Sequence, residues 1–298
     1  MRRHAAAAFA VALAVVIAAV IASAGTTRIA RAAPQPRAPR IAVGQVTGLV
    51  TGTPFEGGRR FRFVTANGVV NAWIPAHYAP RRAGTVVYVH GHDADADRAL
   101  LEHSLARQFA ASGRNALFVV PEAQPDGVEP VRWESLGALL RETERQTGLA
   151  RPPGALLLIG HSGAFRTLAG WLGYARATHI ILLDALYDLD DDFARWASDP
   201  DHRLTLVGAD TRVRCAALTE RLGGVRVPRI PSRWHELPRA ARTARILYLR
   251  SQVGHMELVL GNAVLPLLLE GSALPAVSFQ LNAQPLRGAN ETDAPRSG

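Results

Sequence analysis

The chain has 298 residues, 48% of them hydrophobic and 20% charged, with a formal net charge of +9. That length can bury a sizeable core in one large α/β domain or two small ones, and the composition is too apolar for a disordered polyelectrolyte. All 34 basic residues are Arg and lie dispersed, which argues against a nucleic-acid surface, and the single cysteine, Cys215, excludes an intramolecular disulfide framework.

In chain order, a targeting pattern comes first. Arg2 and Arg3 precede an uncharged Ala/Val/Ile-rich run from Ala5 to Ala24, with small residues at Ala22-Ser23-Ala24 and again at Ala30-Arg31-Ala32. The pattern predicts a cleaved export signal over residues 1–33; an uncleaved membrane tether through residues 5–24 is the alternative. Loss of residues 1–33 would leave 30 Arg against 25 Asp and Glu, a charge of +5. Pro34 to Gly52 is Pro/Gly/Ala-rich and reads as a linker, and Asn282 to Gly298 reads as a frayed polar tail. One folded domain is therefore expected over residues 53–281.

Arg60–Thr65 and Val69–Ile74 flank Ala66-Asn67-Gly68, a strong hairpin signal. Six short apolar runs follow: Thr85–His90, Ala116–Val120, Ala155–Ile159, Ile180–Leu183, Leu204–Val207 and Ile246–Leu249. Each is nearly continuous rather than alternating, as in strands buried on both faces. Between them, Leu101, Leu105 and Phe109 form one helical stripe that stops at Gly113. Leu136, Leu139 and Leu140 form another, ending near Gly148. The alternation predicts a mostly parallel sheet of about eight strands with helices on both faces.

Ligands on such sheets bind beyond the carboxyl ends of the strands. The third run ends in Gly160-His161-Ser162-Gly163-Ala164, followed by an apolar helical pattern through Phe165, Leu168, Ala169 and Leu172. A serine in a sharp strand-to-helix turn flanked by small residues is a nucleophile elbow. The helix start aims backbone N–H groups at a developing oxyanion. Ala164 stands where the pattern usually has Gly.

On these residues the chain resembles the α/β-hydrolase fold family over roughly residues 58–270. The first run ends in His90-Gly91-His92, similar to the family's oxyanion loop, and Ile74-Pro75-Ala76 looks like its passage from hairpin to sheet. The resemblance implies that backbone N–H groups of His92 and Gly163 hold an oxyanion.

A serine hydroxyl needs a base, and the base needs a third group to orient it. The family order is serine, acid, histidine. His255 follows the last run by a short loop and is the expected base, with His235 the weaker competitor and His161 a packing or substrate contact. Two acids satisfy the order: Asp184, ending the fourth run in Leu183-Asp184-Ala185-Leu186-Tyr187, and Asp210, in Gly208-Ala209-Asp210 after the fifth. Asp210 is at the more usual family position, whereas the Leu-Asp-Ala-Leu-Tyr segment leans toward Asp184. The segment from Leu186 to His202 is expected to form a short cap. A loop from Gly223 to Pro238 with Trp234 is expected to form another wall, and Arg226, Arg229 and Arg233 there are candidates for attracting an anion, though a solvated loop accounts for them more simply.

His90-Gly91-His92-Asp93 with Asp95 and Asp97 fails both a binuclear-zinc and a calcium-loop pattern, because Ala94, Arg98 and Ser104 occupy required positions. Asp95 or Asp97 is better read as a helix cap, and Asp188–Asp192 as a solvated face. No metal, nucleotide loop or other cofactor is expected. The sequence thus predicts an exported serine hydrolase taking a small-molecule ester or amide substrate, carboxylesterase-like first. A cell-wall peptidase or amidase, or a non-catalytic binding module on the same scaffold, is the alternative.

Overall fold

The structure, a computed structural model, describes residues 49–277. The expected export signal, linker residues 34–48 and the tail lie outside the described residues. Val50, within the expected linker, donates its N–H to Gln146 O at 2.7 Å and packs against the core, so the end of that segment belongs to the fold.

The described residues contain one ten-stranded sheet, in the order β1-β2-β3-β5-β4-β6-β7-β8-β10-β9. β2 (Gly58–Thr65) and β3 (Gly68–Pro75) are the expected hairpin. β4 (Gly84–Val89), β5 (Ala116–Pro121), β6 (Leu156–His161), β7 (Ala177–Leu183), β8 (Arg203–Gly208) and β10 (Ile246–Arg250) are the six apolar runs, and they pair in parallel. The mostly parallel sheet with helices on both faces is as expected, with ten strands instead of about eight. The additions are three-residue edge strands, β1 (Thr53–Phe55) on β2 and β9 (Val225–Val227) on β10. Neither is apolar or long enough to show in a periodicity reading.

Nine helices flank the sheet among the described residues, and two apolar clusters show that they cover both faces. On one face lie α3 (Leu136–Thr147), α4 (Phe165–Gly170), α5 (Asp190–Ala197) and α6 (Arg212–Arg221). On the other lie α1 (Ala96–Glu102), α2 (Leu105–Ala111), α7 (Arg239–Arg242), α8 (Glu257–Leu260) and α9 (Val264–Glu270). α3 starts on the Ser135 side chain, buries Leu136, Leu139 and Leu140, and ends at Gly148 with φ 69°.

Three expectations change. The stripe expected as one helix through Leu101, Leu105 and Phe109 is two: Asp95 caps α1, Ser104 at φ 49° breaks the run, and Leu101 is left exposed while Leu105 and Phe109 are buried. The segment from Leu186 to His202 is no cap. Its helix α5 buries Phe193, Ala194 and Trp196 in the core, and its acidic end is held to α6 by Arg214–Asp190 and Arg221–Asp191 pairs. Trp234 forms no wall of the site either. It packs on Gly271 and under Arg203, the first residue of β8, at the amino ends of the strands.

Candidate active site

Ser162, Asp184 and His255 follow β6, β7 and β10 at the carboxyl ends of the strands. Ser162 opens a 3-10 turn, Ser162–Ala164, with φ 54°, the strained conformation of an elbow. The turn is tight because its neighbours are small. A Cβ at Gly160 would fall 2.6 Å from Leu168 Cδ1 and 3.1 Å from the Ala164 Cβ, so a methyl fits at 164 without opening the turn. Among the described residues no hydrogen bond engages Ser162 Oγ.

The loop after β4 lies directly on this turn. A Cβ at Gly91 would come within 2.6 Å of Ser162 Cβ, so only glycine lets the loop approach Ser162 this closely. His90 fixes the loop from behind: its Nδ1 donates to Gly91 O at 2.8 Å and its Nε2 accepts from Ala123 N at 3.0 Å. Burial holds its pKa down to about 4, which keeps the ring neutral and suited to both bonds. The His92 ring lies over Gly163, where a Cβ would collide with it. Gln124 secures the other side of Gly163, donating Nε2 to its carbonyl at 3.2 Å while Oε1 accepts from Thr167 Oγ1 at 2.8 Å.

Asp184 is fully buried at φ 45°, and its carboxylate accepts five donors. Oδ1 takes Ala209 N at 2.9 Å, Thr211 N at 2.8 Å and Thr211 Oγ1 at 2.7 Å. Oδ2 takes Asp210 N at 3.1 Å and His255 Nδ1 at 2.7 Å. Burial raises the Asp184 pKa, but the His255 bond and the Thr211 and Asp210 donors outweigh it and hold the carboxyl well below the usual carboxylate range. With Nδ1 turned to a carboxylate, His255 has Nε2 on the opposite edge of its ring for proton transfer.

Of the two candidate acids, Asp184 is the one bonded to His255. Asp210 is exposed and enters through its main-chain N–H. Asp184, Asp210 and His255 hold ligand-type atoms within 4.8 Å of one another. The Asp184 oxygens are already filled by N–H and O–H donors, however, which favours a hydrogen-bonded acid over a metal ligand. His235 is exposed in the turn Trp234–Glu236, which packs at the opposite end of the sheet, and takes no part. Arg229 and Arg233 are exposed, and Arg226 faces Glu220 at 3.9 Å.

Several contributors escaped the sequence reading. Thr211 follows Asp210 by one residue and had no motif to mark it. Gln124 and the Tyr187 hydroxyl, 3.4 Å from His255 Nδ1, are likewise visible only in three dimensions.

No family model and no curated protein matches the chain. Among solved structures it is similar to an S-formylglutathione hydrolase from Agrobacterium tumefaciens, with 12% identity and TM-score 0.48, over 76% of this chain and 99% of that one. It is also similar to a thermophilic carboxylesterase from a metagenomic library, with 12% identity and TM-score 0.48, over 72% and 88%. A feruloyl esterase module from Clostridium thermocellum aligns with 10% identity and TM-score 0.46, over 74% and 93%.

Proposed function

We propose that the chain is a serine hydrolase cleaving an ester bond through Ser162, His255 and Asp184. The observation that carries this reading is the 2.7 Å bond from His255 Nδ1 to buried Asp184, on loops at the same end of the sheet as a serine at φ 54°. A histidine so oriented is a general base, and a serine in a strained elbow is an exposed nucleophile.

Ser162 Oγ attacks the substrate carbonyl carbon as His255 Nε2 takes its proton. The oxyanion is held by the backbone N–H groups of His92 and Gly163. The tetrahedral adduct collapses, the leaving alcohol departs with the proton from His255, and an acyl ester on Ser162 remains. Water, deprotonated by His255, attacks this ester; the acid leaves and Ser162 recovers its proton. Asp184 stays ionised throughout and stabilises the imidazolium.

A panel of p-nitrophenyl esters and aminoacyl anilides tests the reading. Turnover of esters that vanishes in Ser162→Ala supports it; turnover of anilides alone would move the activity to amides, and turnover unchanged in Ser162→Ala would remove the serine. Export belongs to the same proposal, supported by Arg2, Arg3 and the run Ala5–Ala24. Recovered protein should then begin at Gly25 or Ala33, and retention of Met1 would favour the tether.

A further inference from the structure

His161, the last residue of β6, does more than end a strand. Its ring stacks on His255 with centroids 4.5 Å apart and planes at 30°, within the range of an offset aromatic pair. It is 2% exposed, and its Nε2 is buried with no hydrogen-bond partner. The buried His103 also meets it edge-on, at 6.3 Å and 86°. Tyr187 meets the His255 ring at 71° with centroids 6.3 Å apart. Among the described residues, then, the His255 ring is fixed by Asp184 at Nδ1, by Tyr187 as an edge contact, and by His161 in a stack.

We propose that His161 is a positioning residue for the base. It holds the His255 ring in the plane where Nδ1 meets Asp184 and Nε2 serves Ser162, and it keeps water from one face of that ring. The inference rests on the serine-hydrolase reading above. Electrostatics require the stacked partner to be neutral, since an imidazolium beside His255 would oppose its protonation during turnover. The groups facing His161 satisfy this: burial, with His255 and His103 adding to it, pulls its pKa down to about 3, against a contact with the His255 main chain and a weaker pull from Asp184. Of the pair, His255 alone is bonded to the carboxylate.

The function of an oriented base is read directly as the rate at which a fluorophosphonate labels Ser162 per folded molecule. Removing an aromatic stack should slow this rate in His161→Ala by about fivefold or more, with KM for an ester changed little. Water reaching the uncovered face favours the imidazolium, so the pH at which labelling is half-maximal should rise. His161→Phe restores a neutral aromatic face without the unpartnered nitrogen. It should recover both the rate and the pH midpoint. Should His161→Ala destabilise the fold, the comparison of His161→Phe with His161→Gln, which lacks a ring, carries the same test. Unchanged labelling rate and midpoint in both ring-less variants would overturn the inference while leaving the hydrolase reading intact. Absence of labelling in the parent protein would instead overturn that reading.

Discussion

Asp184 Oδ2 and His255 Nδ1 meet at 2.7 Å although 71 positions separate them in the chain. The two residues follow β7 and β10, and β8 lies between those strands. The loop after β8 fills the gap, and its three consecutive N–H groups, from Ala209 to Thr211, close around the same carboxylate. One buried charge thus joins three loops, and its cost is offset by charge-assisted donors on both oxygens.

This arrangement separates the two candidate acids. Asp184→Asn should lower turnover by roughly 10⁴, because the amide no longer holds His255 in the right tautomer. Asp210→Asn keeps the main-chain N–H and should change turnover only a few-fold. Steady-state kinetics on both variants, with circular dichroism to verify folding, checks the pair; equal losses would contradict the assignment.

The packing of His92 on Gly163 makes a steric prediction. Gly163→Ala drives a methyl into the His92 ring, an overpacking that costs about 1–3 kcal/mol. Thermal unfolding should drop by several degrees, and adding His92→Ala should recover most of the loss. A double variant no more stable than Gly163→Ala would show that the ring is not the obstacle.

Stability should fall in mild acid. His90 and His161 have folded pKa values of about 4 and about 3, against an ordinary 6.5, because burial disfavours their charged forms. The unfolded chain therefore takes up protons first as pH drops below 6.5. Stability is full above that pH and declines toward 4 and 3, by up to about 1.4 kcal/mol per pH unit for each group. The Asp184 pKa is lowered as well, so its contribution is full above the ordinary carboxylate range and is lost, with the same sign, as pH falls from that range toward its lowered value. Urea melts between pH 7 and pH 5 should show the decline, and His161→Phe should make it shallower. Equal stability at the two pH values would contradict the neutral, buried state of these rings.

Much of this was legible in the sequence, for identifiable reasons. The six central strands are apolar on both faces, so they stand out as continuous runs; Ser162 lies directly after one of them, and His255 follows another by a short loop. The acid was ambiguous because Asp184 and Asp210 both follow strands, and only the packed loops show that one contributes its carboxylate and the other its N–H. The break at Ser104 was hidden because Leu101, Leu105 and Phe109 keep helical spacing across it. The supposed cap looked like an insertion because its three consecutive acids are polar; Phe193 and Trp196 on the other side of α5 anchor it to the sheet.

The central claim is that Ser162 is a nucleophile activated by His255. Its most direct test is intact-mass and peptide mapping after treatment with a fluorophosphonate. The account predicts one adduct per chain, located on Ser162, absent in Ser162→Ala and formed far more slowly in His255→Ala. An adduct elsewhere, or none in the folded protein, would contradict it.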